Sequence, residues 1–457
     1  MRTFLSHAVL VSALALHLAT SACSSENTTE VGNGGATAGG SAGQLSGGAS
    51  GFGGEGGSVA SGGSNPSGGS AGSSGGAGNG GSAGTTGGDG GGGAGGSGGA
   101  TDAGVDSSTP PPQKEVVFTV PLAGGANDTT IEAKLGELAK AAAPGSQIRI
   151  SLYHWSRQAI AYRFVDAQKA GVDVRVVLDP TNKNDQGDDW AGVATLKSEL
   201  PSGHVTVCNE SAGQGACIGS DTGINHNKFF LFSELNDGSK HVVVQSSANL
   251  TTTQLHKHNN LVIIRDDKAL YDAYLSYWTD LQAQQQDLNY YRSFDGDTGT
   301  KAYFYPRASG DTILGVLDNV TCDAGTTIRV AMAFFTTGRS EIADKLVSKQ
   351  QQGCAVTVVL DQENLSSGVA STLKSGGVSL YVFPTGSAGE GLHSKILIIH
   401  GTYTGTANRG LVWTGSHNYT GPALRGNDEA LLKLDDPEVY AAFDANFAAI
   451  RGGAVKQ

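Results

Sequence analysis

Two short stretches decide the fold of this chain: His226-Asn-Lys228-Phe-Phe-Leu-Phe-Ser233 and His393-Ser-Lys395-Ile-Leu-Ile-Ile-His400. Each places a histidine and a lysine two residues apart at the start of an apolar run typical of a β-strand. Because strand side chains alternate between faces, the histidine and lysine of each stretch are expected to point the same way. Asn227 and Ser394 are then expected to face the opposite way.

Both stretches belong to an internal repeat. Gly171-Val-Asp-Val-Arg-Val-Val-Leu-Asp179 corresponds to Gly353-Cys-Ala-Val-Thr-Val-Val-Leu-Asp361, and each copy follows a strand-like run and an amphipathic helix. Each H-x-K run is followed by a second motif, Ser246-Ser247-Ala248-Asn249 or Gly415-Ser416-His417-Asn418. The pattern predicts an α/β fold, a duplicated α-β-α sandwich with two pseudo-twofold-related lobes and an active site at their seam.

The sequence before the repeat is of a different kind. Residues 1–22 are expected to be a signal peptide, and residues 18–23 resemble a bacterial lipobox ending at Cys23, the candidate lipidation site. Residues 23–112 are dominated by glycine, serine and alanine and are predicted to be a disordered linker. The lobes are placed at residues 113–300 and 301–457. The chain is therefore expected to be exported, either as an outer-membrane or cell-surface lipoprotein or as a secreted protein, with a lipid anchor rather than a transmembrane helix.

The cysteines and the charge limit the kinds of site. An oxidising compartment makes Cys208, Cys217, Cys322 and Cys354 disulfide candidates, Cys208 with Cys217 and Cys322 with Cys354. Their scattered spacing lacks the paired C-x-x-C pattern of a zinc site, so neither a metal nor another cofactor is predicted. The formal net charge of -12 argues against long-range capture of nucleic acid, which depends on a basic stripe.

The repeated polar residues are suited to transfer of a group that carries negative oxygens. A histidine nitrogen can attack a phosphodiester, and a second histidine can protonate the leaving oxygen and then activate water or an alcohol. Lysine and asparagine side chains can stabilise the phosphate oxygens as charge builds in the transition state. The candidate catalytic residues are His226, Lys228, Asn249, His393, Lys395 and Asn418, with Ser247 and Ser416 as supporting residues.

At these residues the chain resembles the phospholipase D superfamily, whose pattern is H-x-K-x4-D, then G-S-x-N, then an acidic residue. The resemblance runs from about residue 115 to the C-terminus. It implies a phospholipase D-like fold in both lobes and a metal-independent phosphodiesterase that works through a phosphohistidine. One lobe supplies the nucleophilic histidine and the other supplies the general acid.

The chain departs from the superfamily pattern at three positions. Ser233 and His400 stand where the family has a structural aspartate, and activity is expected to survive that change. Glu429, a further candidate catalytic residue, is expected to accept the ring N–H of His393. Its repeat-equivalent, the neutral Asn260, is a further supporting residue and would face His226. This predicts His226 as the nucleophile and His393 as the acid, although a carboxylate partner can instead raise nucleophilicity.

The leading functional hypothesis is an exported phospholipase D that hydrolyses or exchanges glycerophospholipid headgroups at a membrane surface and leaves phosphatidic acid. The alternatives are a nuclease of the same superfamily, for which a nucleic-acid substrate is less favoured, a cardiolipin synthase-like transferase, and a degenerate phosphate- or lipid-binding module. His256, His258 and His417 are interpreted as loop or rim residues, and Trp155 as core or pocket wall. Two lobes in one chain make a monomer sufficient, and the oligomeric state stays open.

Overall fold

A computed structural model describes residues 113–457. The predicted signal peptide, Cys23 and the linker lie outside the described residues. The strands of the described chain are β1 Lys114–Thr119, β2 Gln147–Leu152, β3 Asp173–Leu178, β4 Val205–Val207, β5 Lys228–Glu234, β6 Lys240–Ser246, β7 Lys257–Ile264, β8 Arg292–Asp295, β9 Thr300–Tyr305, β10 Val320–Thr321, β11 Thr327–Met332, β12 Ala355–Asp361, β13 Ser379–Phe383, β14 Gly391–Leu392, β15 Lys395–Tyr403, β16 Thr406–Gly415, β17 Glu429–Asp435 and β18 Val455–Lys456. The α-helices are α1 Thr130–Ala141, α2 Gln158–Lys169, α3 Ala191–Glu199, α4 Lys268–Ala283, α5 Thr312–Asp318, α6 Ser340–Gln351, α7 Ser367–Ser375, α8 Gly421–Arg425 and α9 Pro437–Gly452.

The strands form two sheets of matching order. The first follows β1-β7-β6-β5-β2-β3-β4 and the second β18-β13-β12-β11-β15-β16-β17-β9-β8. The run β7-β6-β5-β2-β3-β4 in the first sheet repeats as β17-β16-β15-β11-β12-β13 in the second. We call the first sheet and its helices the first lobe, and the second sheet and its helices the second lobe. The repeat read from the sequence is therefore a structural duplication, and the predicted α/β fold is confirmed.

Alternating side chains bury both faces of each sheet. In β5, Phe229 and Leu231 join a core shared by the two lobes, while Phe230 and Phe232 join a core under α1, α2 and α3. The shared core also contains α4 and α9, which lie between the sheets, and a third core lies under α5, α6 and α7. Strands that are apolar on both faces are typical of a sheet covered by helices on both sides. The sequence of β5 therefore selects the sandwich.

The strand directions bring both H-x-K motifs to corresponding edges of the sheets. β2 and β3 are parallel, and β5 runs antiparallel to β2 with Lys228 opposite Leu152, the last residue of β2. In the second sheet, Lys395 is opposite Met332 in the same way. Polar residues that follow the carboxyl ends of β2 and β3 therefore lie beside the start of β5.

The two lobes exchange short segments at their seam. β14 of the second half pairs with β7 of the first sheet, and Asn225 forms a bridge with Asp428. β8 already belongs to the second sheet, so that sheet begins at Arg292, before the predicted boundary at residue 300. The two backbone pairings across the seam lie directly beside the two histidines, so they fix the lobes to each other at the site.

Asp267 ties the start of α4 to the turn between β8 and β9. Its carboxylate accepts hydrogen bonds from Leu270 N at 3.0 Å, Asp297 N at 2.8 Å and Thr300 Oγ1 at 2.7 Å. Burial alone would raise the pKa of Asp267, but these hydrogen bonds and one from Thr298 outweigh it and lower the pKa. The lowered pKa means that the ionised form stabilises the fold.

Asp267→Ala is expected to lower the free energy of unfolding by about 2–3 kcal/mol, since it leaves several donors without an acceptor. Because the folded-state pKa is lowered, the loss is full at neutral pH and shrinks as the pH falls through that pKa. Urea unfolding of the wild type and the variant at several pH values measures this loss in the free energy of unfolding. The exposed Asp272→Ala on the same helix is the control, expected to cost less than about 0.5 kcal/mol. Equal losses for the two variants would contradict the role of Asp267.

The described chain contains two disulfides. Cys208 is bonded to Cys217, and Cys322 to Cys354, the pairs expected from the sequence. The first closes a loop of the first lobe, and the second joins the segment before β11 to the segment before β12. Within residues 113–457, none of the helices is both long enough and apolar enough to cross a membrane.

Candidate active site

The fold brings the two H-x-K motifs to one buried site at the seam. Burial lowers the pKa of His226 well below its usual value, and the charges of Lys228 in the same lobe and Lys395 in the other lower it further. Burial, Lys395, Lys257 and Lys228 lower the pKa of His393 in the same way. Each histidine thus experiences cations from both lobes, as expected for one composite site.

Both histidines take their hydrogen-bond partner from the opposite lobe. The Nδ1 atom of His226 lies 2.9 Å from the carboxylate of Glu429, and Nδ1 of His393 lies 3.0 Å from Oδ1 of Asn259. The prediction that Glu429 serves His393 is therefore wrong. The prediction that Asn260 faces His226 is also wrong, because Oδ1 of Asn260 accepts a hydrogen bond from Thr414 Oγ1 at 2.8 Å.

Backbone pairing across the seam explains both corrections. The backbone N–H of His226 donates to Asp428 O at 3.0 Å, and that of His393 donates to His258 O at 3.0 Å. Glu429 therefore corresponds to Asn259, one residue earlier than the sequence repeat suggests. The link from Asn418 to Glu429 is one residue longer than the link from Asn249 to Asn259. It contains the α-helical turn α8, where the first lobe has a 3-10 turn.

Burial controls the charge of Glu429 as well as that of His226. Burial raises the pKa of Glu429 to about 8, against the opposing effects of Lys228, the Ser416 hydroxyl, Asn427 and Lys395. Ser416 Oγ donates to this carboxylate at 2.5 Å, and Asn427 Nδ2 donates at 3.3 Å. These hydrogen bonds hold Glu429 in one orientation. Positive charge that develops on His226 favours the ionised form of Glu429, so the carboxylate and the imidazolium stabilise each other.

In each S-x-N motif the serine supports the partner of a histidine, and the asparagine lies in the site itself. Ser247 Oγ donates to Asn259 Oδ1 at 3.2 Å, so each motif serine holds the partner of one histidine. Asn249 and Asn418 are 4% and 3% exposed, and their amide oxygens have no hydrogen-bond partner within the described residues. An amide oxygen accepts hydrogen bonds, so these two atoms suit a donor such as a hydroxyl or a water, while the amide N–H groups of the same side chains can donate to phosphate oxygens.

The two lysines lie against the backbone of their own histidines. Lys228 Nζ donates to His226 O at 2.6 Å and lies 5.2 Å from the ring centroid of Tyr153. Lys395 Nζ donates to His393 O at 2.6 Å and lies 3.3 Å from the His393 ring nitrogens. These contacts fix both ammonium groups beside the imidazoles, where they can stabilise the oxygens of a phosphoryl group.

A pair of aspartates that the sequence reasoning did not assign positions both motifs. Asp179 accepts a hydrogen bond from Asn225 N at 2.7 Å, and Asp361 accepts one from Leu392 N at 2.8 Å. Each therefore fixes the residue directly before a site histidine. Burial raises the pKa of Asp179 to about 6. Both residues end the repeated segments quoted above, so the repeat itself contained the signal.

Lys257 is a further site residue that sequence reasoning missed. It lies on the same face of β7 as Asn259, and its ammonium lies 2.6 Å from Glu363 of the second lobe. The corresponding position beside His226 is Asn427, which is neutral. The two halves of the site therefore differ in charge, with a carboxylate behind His226 and an ammonium beside His393.

The residues that replace the family aspartate lie away from this chemistry. Ser233 is near the far end of β5, where its Oγ accepts a hydrogen bond from Gln147 N at 2.8 Å. The ring of His400 stacks on Tyr440 with the centroids 5.5 Å apart, far along β15 from Lys395. That activity survives these changes stays a prediction, and the positions of both residues favour it.

Other histidines and Trp155 have distinct places. His417 is 1% exposed and stacks on Tyr305 with the centroids 4.2 Å apart, so the interpretation as a rim residue is wrong for it. His258 is also buried, and its ring packs against Phe383. Trp155 is fully buried in the core under α1, α2 and α3, in agreement with the core interpretation.

One group in the described chain has atoms close enough together to suggest metal ligands. It consists of Cys208, Cys217 and Asp428. Both sulfur atoms are joined in a disulfide, so they do not offer the thiolates that a zinc site uses. The group therefore does not supply a metal site in this oxidised form.

The chain belongs to the family of PLD-like domains described as "Cardiolipin synthase, PLD-like domain". The family matches residues 136–281 and 321–451, more than half of the chain and one segment in each lobe. The suspected membership of the phospholipase D superfamily is thereby confirmed. No curated protein sequence matches the chain.

Several solved structures are similar to this chain at low sequence identity. Phosphatidylserine synthase from Haemophilus influenzae is 13% identical with a TM-score of 0.53, over 76% of this chain and 87% of that one. Polyphosphate kinase from Porphyromonas gingivalis is 10% identical with a TM-score of 0.49, over 74% of this chain and 50% of the kinase. Nuc, a phospholipase D family member from Salmonella typhimurium, is 19% identical with a TM-score of 0.29, over 35% of this chain and 97% of Nuc. This chain thus spans half the length of the kinase.

Proposed function

We propose that this protein is an exported phospholipase D-like phosphodiesterase that cleaves or exchanges the headgroup of a glycerophospholipid. The observation that carries the proposal is the pair of cross-lobe hydrogen bonds, His226 to Glu429 and His393 to Asn259. They hold two imidazoles with two lysines in one buried site. That set of groups supplies a nucleophile, a proton donor and cations for phosphate oxygens.

His226 is assigned as the nucleophile, for a reason different from the one suggested by sequence. Glu429 occupies Nδ1, so Nε2 is the atom that attacks phosphorus. The new N–P bond places positive charge on the ring, and Glu429 stabilises that charge. His393 has a neutral partner and Lys257 nearby, so its protonated form gives up a proton readily.

The reaction then runs in two balanced steps. In the first, Nε2 of His226 bonds to phosphorus, the phosphorus–oxygen bond to the headgroup breaks, and His393 gives that oxygen its proton. In the second, His393 takes a proton from water, whose oxygen bonds to phosphorus as the N–P bond breaks. An alcohol in place of water gives headgroup exchange instead of phosphatidic acid.

Three observations favour a lipid over a nucleic acid. The family description names cardiolipin synthase, and the structure with a TM-score of 0.53 is a phosphatidylserine synthase. Each of those names refers to phospholipid synthesis. The net charge of -12 is also unfavourable for a polyanionic substrate.

The test uses the full exported protein with EDTA present. Vesicles of phosphatidylcholine or phosphatidylethanolamine, and separately plasmid DNA, are incubated with wild type and His226→Ala. Release of choline or ethanolamine by wild type and not by the variant is the expected result. DNA nicking without headgroup release would make the protein a nuclease, and phosphate-dependent binding without turnover would make it a binding module.

A further inference from the structure

Within residues 113–457, the His226 side of the site is held by a loop that has no counterpart on the His393 side. The loop, here the clasp loop, comprises residues 216–224 of the first lobe and includes Cys217 of the first disulfide. It lies in the longer connection that the first half has before its H-x-K motif. Its backbone packs against residues 426–428 of the second lobe, directly before Glu429.

Asp428 is the anchor of this contact. Its buried carboxylate accepts hydrogen bonds from Cys217 N at 2.6 Å, Ile218 N at 3.1 Å and Gly219 N at 2.8 Å. Burial raises the pKa of Asp428 to about 7, and the three backbone donors, which form an anion-binding concavity, oppose that rise by favouring the ionised carboxylate. The clasp loop is thus bound to the residue next to Glu429.

Close backbone approach extends the contact along the loop. Ser220 N donates to Gly426 O at 2.7 Å. A Cβ atom on Gly219 or Gly223 would lie only 1.9 Å or 2.1 Å from that same oxygen, so glycine is required at both positions. The clasp loop therefore packs directly on the backbone of residue 426, in the segment that leads to Glu429.

The backbone contact between the clasp loop and residues 426–428 leads directly to His226 and Glu429. Asp428 N donates to Ile224 O at 3.0 Å, and His226 N donates to Asp428 O at 3.0 Å. One short ladder therefore fixes His226 on one strand and Glu429 on the other. At the corresponding place beside His393 stands His258, whose ring packs on Phe383 rather than binding a loop.

We infer that Asp428 and the clasp loop, which the disulfide at Cys217 tethers to Cys208, are positioning elements that hold Glu429 against His226. The disulfide between Cys208 and Cys217 keeps the Cys217 N–H in place as one of the three donors. The other disulfide, between Cys322 and Cys354, precedes β11 and β12 and so lies at the opposite edge of its sheet from the site. Only the first disulfide is therefore coupled to the reaction within the described chain.

The test compares two disulfide removals in the full exported protein. C208S/C217S is expected to lower kcat about 100-fold with KM changed less than about twofold, because a misplacement of about 1 Å in a catalytic group can cost that much. C322S/C354S is the matched control and is expected to keep the wild-type kcat. Asp428→Ala should resemble C208S/C217S, and Asp428→Asn, which keeps one acceptor oxygen, should recover part of the activity.

The inference rests on the proposed function, so the measurements are chosen to distinguish a failure of the inference from a failure of the proposed function. Turnover is measured on phosphatidylcholine vesicles and on bis(4-nitrophenyl) phosphate, since cleavage of the small diester alone would contradict the lipid substrate and still report on the clasp loop. The Nδ1 proton resonance of His226, identified by its loss in His226→Gln, reports on the pair without turnover. It should shift in C208S/C217S and stay in C322S/C354S. Wild-type kcat and an unshifted resonance in folded C208S/C217S would overturn the inference, as would equal losses in both disulfide variants.

Discussion

His393→Gln is expected to release one equivalent of nitrophenolate in a burst from bis(4-nitrophenyl) phosphate and then to turn over about 10²–10⁴-fold more slowly than wild type. Nitrophenolate is a good leaving group and needs little help from an acid, so His226 can still attack. Hydrolysis of the adduct needs a base to activate water, and that base is missing. Rapid-quench measurement of nitrophenolate gives both phases.

The position of the adduct decides which histidine is the nucleophile. Peptide mapping of the quenched His393→Gln protein should place the phosphoryl group on His226. His226→Gln is the matched variant and should show neither burst nor turnover. A burst in His226→Gln, with the adduct on His393, would reverse the assignment and make the histidine with the neutral partner the nucleophile.

Much of the fold was predictable because the sequence contains an internal repeat. The repeat of residues 171–179 at residues 353–361 predicted two lobes, and both segments form the expected strands, β3 and β12. The amphipathic helix predicted before residues 171–179 is α2, Gln158–Lys169. Residues 229–232 of β5 are apolar at consecutive positions, and such a run is typical of a strand covered on both faces, in agreement with the observed sandwich.

The pairing within the site was not predictable from the repeat. Each half carries the same motifs in the same order, so a partner from the same lobe and one from the opposite lobe give identical sequence patterns. The register also depended on whether the turn after the S-x-N motif is α-helical or 3-10, which changes the spacing by one residue. Asn259 and Asn260 have identical side chains, and backbone pairing across the seam decides which of them reaches His393.

Lys257 and Asp428 were missed in the sequence for a different reason. Lys257 and Asp428 lie outside the H-x-K and S-x-N patterns, and their roles come from contacts with residues far away in the chain. Lys257 meets Glu363, and Asp428 meets the backbone of residues 217–219. A backbone donor carries no sequence signature, so the partner of Asp428 could be found only once the lobes were assembled.

Glu429→Gln is expected to lower kcat about 10³–10⁴-fold with little change in KM. Glutamine keeps the shape of the side chain but cannot stabilise charge on the imidazole, and it can present an N–H to Nδ1 and impose the wrong tautomer on His226. Replacing the aspartate of a Ser-His-Asp triad by asparagine costs about 10⁴-fold for the same reason. Steady-state kinetics on phosphatidylcholine vesicles and on the small diester measure the effect.

Asn259→Ala is the matched change on the other histidine and should cost about tenfold or less. It removes one neutral hydrogen bond to His393, and such a bond contributes about 0.5–1.5 kcal/mol. The difference between the variants follows from the charge asymmetry of the site, since only Glu429 can stabilise a cationic phosphohistidine. A loss in Asn259→Ala as large as that in Glu429→Gln would mean that both imidazoles depend equally on their partners. The two halves would then be interchangeable despite their different charges, and the assignment of His226 as nucleophile would lose its basis.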